Sequence, residues 1–216
     1  MNVIELFSSI DGEGKRQGFL TTFLRLHDCN IRCSYCDTLY SYGPESTFES
    51  MSVQAVADVI EQLENHRITI TGGEPLLQET AVIELIDELT RRNPGYDFNI
   101  ETNGTIIPSF HRDNVWFTYD YKTPSSLAEE AMNLDIFKVA TPADIIKFVV
   151  GSMQDLDRMN EILKTYPTDA QIFVSPVWGN IEGATIIEYM KAHNWQNVRF
   201  QLQIHKFIWD PDAKGV

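Results

Sequence analysis

A chain of 216 residues with 43% hydrophobic and 22% charged residues is ample for a sizeable globular core. Its formal net charge of −14 argues against a general nucleic-acid grip and against docking on an anionic membrane, since both need basic patches. The first residues, Met1-Asn2-Val3-Ile4-Glu5, lack a basic and then apolar leader, and no apolar run approaches the roughly 20 residues of a membrane helix, so a cytoplasmic protein is expected.

The predicted elements start with a short strand over residues 2–8, followed by the tight polar loop Ser9-Ile10-Asp11-Gly12-Glu13-Gly14. Phe19 to His27 is an extended, β-rich run, predicted as the first central strand. All three cysteines follow it in one loop, Cys29-Asn30-Ile31-Arg32-Cys33-Ser34-Tyr35-Cys36, which continues past Pro44. Ser52 reads as an N-cap, and Val53, Val56, Ala57, Ile60 and Leu63 form one helical stripe. Arg67 to Thr71 is a predicted strand, ended by Gly72-Gly73-Glu74-Pro75. A helix over 79–92 is stopped by Asn93-Pro94-Gly95. Further strands are predicted at 96–101, 115–119, 145–150, 171–174 and 198–202, with helices near 155–164 and 183–193.

Strands alternating with helices through short loops imply right-handed, parallel βαβ units. Six or so strands suit a partial or open α/β barrel better than an eight-fold one of about 250 residues. In such sheets ligands bind at the carboxyl ends of the strands, where the polar and glycine-rich loops of this chain lie.

Three crowded cysteines make a poor disulfide framework and a good metal loop in a reducing compartment. Structural zinc and ordinary four-iron clusters both want four protein ligands. His27 is the nearest candidate for a fourth. A cluster held by three thiolates instead leaves one iron open to a substrate or cofactor.

The C-x3-C-x2-C spacing of Cys29, Cys33 and Cys36, with Tyr35 before the last cysteine, resembles the radical S-adenosylmethionine (SAM) signature. Thr71-Gly72-Gly73-Glu74-Pro75 stands where that family carries its GGE motif. The chain is further similar, in order and over nearly its whole length, to the 7-carboxy-7-deazaguanine synthase family of queuosine and 7-deazapurine biosynthesis. That similarity is carried by Ser9 to Gly14, Phe23-Leu24-Arg25-Leu26, the cysteine loop with Asp37-Thr38, Glu101-Thr102-Asn103-Gly104 and His205-Lys206.

The resemblance implies an α/β fold: a single-domain, partial (βα)6-type radical SAM barrel with modified helices over residues 1–216. It implies a lyase that converts 6-carboxy-5,6,7,8-tetrahydropterin to 7-carboxy-7-deazaguanine with loss of ammonia. The implied cofactors are a 4Fe-4S cluster, SAM and Mg²⁺. A flavodoxin- or ferredoxin-type reductant and a homodimer are implied as well. Cys29, Cys33 and Cys36 would hold the cluster and Thr38 the magnesium. Arg25 would clamp the substrate carboxylate, a task suited to a planar two-pronged donor. Ile10, Asp11, Gly12, Glu13, Thr71 and His205 would line the pterin pocket. Many relatives carry glutamine where this chain has Asp11. Gly72, Gly73 and Glu74 would meet the SAM methionine, through backbone and carboxylate. Tyr35, Cys36, Asp37, Glu101, Asn103, Asp120, Tyr121, Lys122 and Ser175 would complete the cofactor site. The tail from Trp209 to Val216 runs past the point where some relatives end with a terminal carboxylate in the pocket.

Two other readings use the same cysteine loop. An activase that places a glycyl radical on a partner protein gives no reason for Arg25 or for the Ser9–Gly14 loop. A non-catalytic zinc or iron–sulfur module is the second.

Overall fold

The computed structural model of the chain describes residues 1–211 and 213–216; Asp212, within the tail that follows Trp209, lies outside them. One nine-stranded sheet carries the fold. Its strands are β1 (Asn2–Ile10), β2 (Leu20–Leu26), β3 (Glu49–Ser50), β4 (Arg67–Gly72), β5 (Asp97–Thr102), β6 (Val115–Tyr121), β7 (Ile145–Val150), β8 (Gln171–Pro176) and β9 (Val198–Phe200), in the order β3-β1-β2-β4-β5-β6-β7-β8-β9. The helices are α1 (Val53–Gln62), α2 (Glu79–Arg92), α3 (Ile136–Val139), α4 (Met153–Thr165), α5 (Gly183–Ala192) and α6 (His205–Ile208).

The strands from β2 through β4 to β9 are mutually parallel, as alternation with helices predicts. The first strand departs from that expectation. β1 pairs antiparallel with β2 from Val3↔Leu26 to Ile10↔Leu20, because residues 11–19 are too few for a crossover, which takes a dozen or more. β3 escapes sequence reading because only Glu49 and Ser50 pair with β1. Between β5 and β6 the described chain runs without a helix, and between β6 and β7 it has only short turns and α3.

The longer helices are built by their apolar stripes. Ser52 caps α1 by accepting from Ala55 N at 3.1 Å, and Val56, Ala57 and Ile60 are fully buried. α2 buries Val82, Leu85, Ile86 and Leu89. Burying each such Leu or Ile contributes about 1.5–3 kcal/mol. The sheet answers with alternate residues: Ile68 and Ile70, Phe98 and Ile100, Phe117 and Tyr119, Ile146 and Phe148 all join the apolar core.

The opposite face of the same strands is polar. It carries Thr69 and Thr71 on β4, Asn99 and Glu101 on β5, Thr118 and Asp120 on β6, and Lys147 on β7. In the sheet order, β1 and β9 stand seven strand-to-strand steps apart, which is about 34 Å if flat. Yet Ile204 N donates to Gly12 O at 3.0 Å, and Gly14 N donates to Gln201 Oε1 at 2.7 Å. The sheet therefore curls into a partial barrel with the polar face inside. Among the described residues no helix is long and apolar enough to cross a membrane.

Candidate active site

A cavity of about 280 Å³ opens inside this curl and is lined from the carboxyl ends of β1, β2, β4, β5, β6 and β7. On one side stands the cysteine loop, with Cys29, Cys33 and Cys36 all on the wall and all half-buried. The loop is pinned from three elements. Ser34 N donates to Ser126 O at 2.9 Å, and the Tyr35 hydroxyl donates to Val149 O at 3.3 Å. Asn103 Nδ2 donates to Asn30 Oδ1 at 2.8 Å and approaches Cys29 Sγ at 3.7 Å. Arg32 ties the loop to itself through Cys29 O and Ile31 O, both at 2.7 Å.

The thiols suit metal ligation chemically. Burial pushes the Cys33 thiol up to about 11, aided by Asp120 and its sister cysteines against the opposing Lys122. Burial raises Cys29 likewise. The raised Cys29 and Cys33 thiols ionise readily only beside a cation, and metal binding would release their protons. Among the described residues no three His, Cys, Asp or Glu side chains stand in metal-holding geometry, the cysteines included. The donor set on the wall is nevertheless three cysteines from one loop, and that set fits a cluster with one open iron. Thr38, whose Oγ1 lies 3.7 Å from Cys36 Sγ, lines the same wall and offers a hard oxygen to magnesium.

The glycine pair after β4 brings that strand against the loop. A Cβ on Gly72, whose φ is +155°, would meet Leu26 O at 2.4 Å. On Gly73 it would meet Asp28 O at 2.0 Å. Only glycine permits this approach, and it lets Gly73 N donate to Leu26 O at 3.1 Å and Glu74 N to Asp28 O at 2.8 Å.

Glu74 corrects the expectation of a carboxylate contact to SAM. It is 0% exposed and does not line the cavity. Its oxygens accept from Leu76 N at 3.0 Å, Thr102 Oγ1 at 2.9 Å and Asn103 N at 2.7 Å. Its task is to lock the Gly72–Gly73 turn to the end of β5.

Tyr121 is the second correction. β6 runs two residues beyond its predicted end, so strand alternation sends Asp120 inward and Tyr121 outward. Tyr121 packs on Phe148 and Phe137 and donates its hydroxyl to Glu129 Oε1 at 2.9 Å. Ser175 is the third. β8 continues past Val174 to Pro176, placing Ser175 beside Val149 on the inner face but 1% exposed and behind the lining.

The remaining expected site residues all reach the cavity wall: Ile10, Asp11, Gly12, Glu13, Arg25, Thr71 and His205 for substrate, and Tyr35, Cys36, Asp37, Gly72, Gly73, Glu101, Asn103, Asp120 and Lys122 for cofactor. Arg25 donates Nε to Glu5 Oε1 at 2.7 Å, which also accepts from the Tyr40 hydroxyl at 2.7 Å. One of its five guanidinium N–H groups is thus used to aim the others. His205 packs so tightly on Gly12 that a Cβ there would lie 1.9 Å from its Nδ1. Burial lowers its pKa and favours the neutral imidazole.

Along the cavity wall runs a chain of alternating charges. Glu13 Oε1 accepts from Lys147 Nζ at 2.6 Å, Lys147 stands 4.0 Å from Asp120 Oδ2, and Lys122 reaches that oxygen at 2.7 Å. Burial would depress Lys147, but Glu13, Asp120 and Glu101 outweigh it and hold the ammonium charged. Burial would likewise raise Asp120, and the two lysines reverse that. Burial raises Glu101, with Glu13 adding and Lys147 opposing.

Sequence reasoning missed Lys147, although its signal was present: it is the lone charge within the apolar run Ile145-Ile146-Lys147-Phe148-Val149-Val150. Tyr40, Tyr42 and Trp178, also on the wall, carried no such signal. The tail does reach the site: Asp210, Pro211, Ala213, Gly215 and Val216 line the cavity, and Lys214 Nζ sits 4.2 Å from the centre of the Tyr40 ring. Lys206 adds an ion pair to Asp37 at 3.5 Å.

Comparison with known proteins identifies the family. The family model of the radical SAM superfamily matches residues 25–148. A 7-carboxy-7-deazaguanine synthase of Clostridium acetobutylicum is 37% identical, over 99% of this chain and 98% of its own. One of Methanospirillum hungatei JF-1 is 38% identical, over 98% of this chain and 86% of its own. The crystal structure of QueE from Escherichia coli superposes with a TM-score of 0.69 at 26% identity, covering 93% of this chain and 92% of the other. The radical SAM family implies a 4Fe-4S cluster and SAM, the ligands that the three-cysteine wall suits. The chain belongs to the 7-carboxy-7-deazaguanine synthase family of the radical SAM superfamily.

Proposed function

We propose that the chain is a radical SAM lyase that converts 6-carboxy-5,6,7,8-tetrahydropterin to 7-carboxy-7-deazaguanine and ammonia, a step of queuosine and 7-deazapurine biosynthesis. The observation that carries this reading is one cavity with the three cysteines on one wall and Arg25, Gly12, Glu13 and His205 on the others. When bound, the cluster and SAM supply the one-electron chemistry that removes and returns a hydrogen atom. Cys29, Cys33 and Cys36 hold the cluster, and the Gly72–Gly73 backbone, Tyr35, Asp37, Asn103, Asp120 and Lys122 surround SAM. Arg25 orients the substrate carboxylate, and Thr38 would hold a Mg²⁺. Gly12 and His205 wall the pterin, and the tail from Asp210 helps exclude water.

Residues 1–216 then act as one radical SAM core domain in a cytoplasmic homodimer. Its electron comes from a flavodoxin- or ferredoxin-type protein, with no role for nucleic acid or membrane. The glycyl-radical activase and the non-catalytic zinc or iron–sulfur module gain no support from relatives that match end to end under a synthase name.

Turnover by anaerobically reconstituted, reduced protein tests the reading. Product should form from the tetrahydropterin with SAM conserved, and faster with Mg²⁺. SAM cleavage without product would reject it. Arg25→Ala should weaken substrate binding far more than SAM binding.

A further inference from the structure

The register between β1 and β2 shifts beside Arg25. Val3 stands opposite Leu26, but the next pair is Glu5 with Arg25, followed by Leu6↔Leu24 and Phe7↔Phe23. Ile4 is therefore an extra residue, a β-bulge. Without it the ladder would set Ile4 opposite Arg25 and Glu5 opposite Leu24, a core residue. Residues directly opposite share a face of the sheet, so the Glu5 carboxylate would then point into apolar packing. The bulge turns it to the other face, that of Phe7, whose ring stacks on Phe23 at 5.3 Å on the cavity wall.

There Glu5 Oε1 accepts from Arg25 Nε and from the Tyr40 hydroxyl, both at 2.7 Å. The ion pair is shielded, with the Arg25 and Glu5 side chains 15% and 19% exposed. Among the described residues that line the cavity are Arg25 and Tyr40 but not Glu5, which acts from behind them. Burial pushes the Tyr40 phenol up to about 12, so its hydroxyl keeps the proton it donates. The Tyr40 ring centre lies 5.9 Å from the Arg25 guanidinium and 4.2 Å from Lys214 Nζ in the tail. A second carboxylate that acts on Arg25, Asp37, is drawn to Lys206 at 3.5 Å. Nε is one edge of the guanidinium, and holding it leaves the two terminal nitrogens as a fork that matches a carboxylate.

We propose that Glu5, placed by the Ile4 bulge and held by Tyr40, is a positioning residue that aims Arg25 at the substrate carboxylate. The inference rests on the reading of Arg25 as the carboxylate clamp. An unrestrained arginine on a cavity wall samples many rotamers, and ordering it on binding costs affinity. Glu5 removes that cost before the substrate arrives. Charge and positioning forecast opposite effects. As a charge alone, Glu5 repels an anionic ligand, and deleting it tightens binding. As a positioning residue it is needed, and deleting it loosens the grip on the carboxylate.

The test is calorimetric binding of two ligands to the reconstituted protein with SAM: 6-carboxypterin, an oxidised and unreactive analogue, and pterin, which lacks the carboxylate. The preference for the first over the second reads the clamp alone. Glu5→Ala should cut that preference about tenfold, the worth of one charge-assisted hydrogen bond, with pterin and SAM affinity unchanged. Tyr40→Phe, which leaves every charge in place, should cut it about threefold, as befits the loss of one hydroxyl that acts through Glu5. The double variant Glu5→Ala, Arg25→Ala should match Arg25→Ala, because Glu5 acts only through Arg25. A preference that rises or holds in Glu5→Ala, an equal loss of both pterins, or a double variant worse than Arg25→Ala overturns the assignment. An unchanged preference in Tyr40→Phe overturns it as well, and decides alone should Glu5→Ala not fold. Wild type that binds SAM but shows no preference for 6-carboxypterin overturns the clamp itself, and the positioning role with it.

Discussion

Replacing Glu74 separates a structural keystone from a cofactor ligand. Its carboxylate is fully buried and accepts from Leu76 N at 3.0 Å, Thr102 Oγ1 at 2.9 Å and Asn103 N at 2.7 Å. Glu74→Gln keeps the volume but turns one oxygen into an NH₂ group. The amide can face Asn103 N or the Leu76–Thr102 pair with its oxygen, and the other side then meets donor with donor. A buried donor left unpaired costs about 1–3 kcal/mol, and each lost charge-assisted bond about 1.5–3 kcal/mol. Removing the carboxylate also relieves its desolvation, which already raises its pKa. A net loss of about 2 kcal/mol is expected for Glu74→Gln, and about 3–5 kcal/mol for Glu74→Ala, which adds a cavity. Against a domain stability of about 5–15 kcal/mol, both are measurable. Urea unfolding of the metal-free protein, followed by far-ultraviolet circular dichroism, should show lower midpoints at unchanged slope. Iron loading should fall too, because Asn103 links Glu74 to Asn30 and Cys29. A Glu74→Gln protein as stable as wild type but deficient in SAM affinity would refute this reasoning and return the carboxylate to the cofactor.

Tyr121→Phe should lose about 1 kcal/mol with the Glu129 hydrogen bond while SAM affinity stays unchanged, as equilibrium unfolding and calorimetry would show. In Gly12→Ala the new methyl must displace His205, whose Nδ1 would lie 1.9 Å away; KM for the tetrahydropterin should rise while SAM affinity holds. Asp11 predicts a pH dependence of stability. Its folded pKa is raised from 3.8 to about 7, so the folded state holds the proton more tightly than the unfolded chain. Its contribution is greatest below the unfolded value and is lost as pH climbs from about 4 to about 7, on the order of 4 kcal/mol in total. The unfolding free energy of wild type minus that of Asp11→Asn should decline across that window. A flat difference would show that Asp11 ionises normally.

What the sequence alone determined is what lies close together along the chain. Cys29, Cys33 and Cys36 share one loop, Gly72 and Gly73 adjoin, and the stripes of α1 and α2 repeat at helical spacing, so cluster ligands, motif and helices were all legible. The direction of a side chain at a strand end was not, because alternation carries past the predicted boundary. Two extra residues of β6 turned Tyr121 into the core, and two of β8 tucked Ser175 behind the wall. The antiparallel entry of β1 was readable in principle from the shortness of residues 11–19. Only the tertiary structure could decide the charge states. Asp11 and Glu13 come from the loop after β1, and Glu101, Asp120 and Lys147 from β5, β6 and β7, and they meet only when the sheet curls. Each is an ordinary charged residue in the sequence. Burial together, with fewer cations than carboxyls, is what makes them a site.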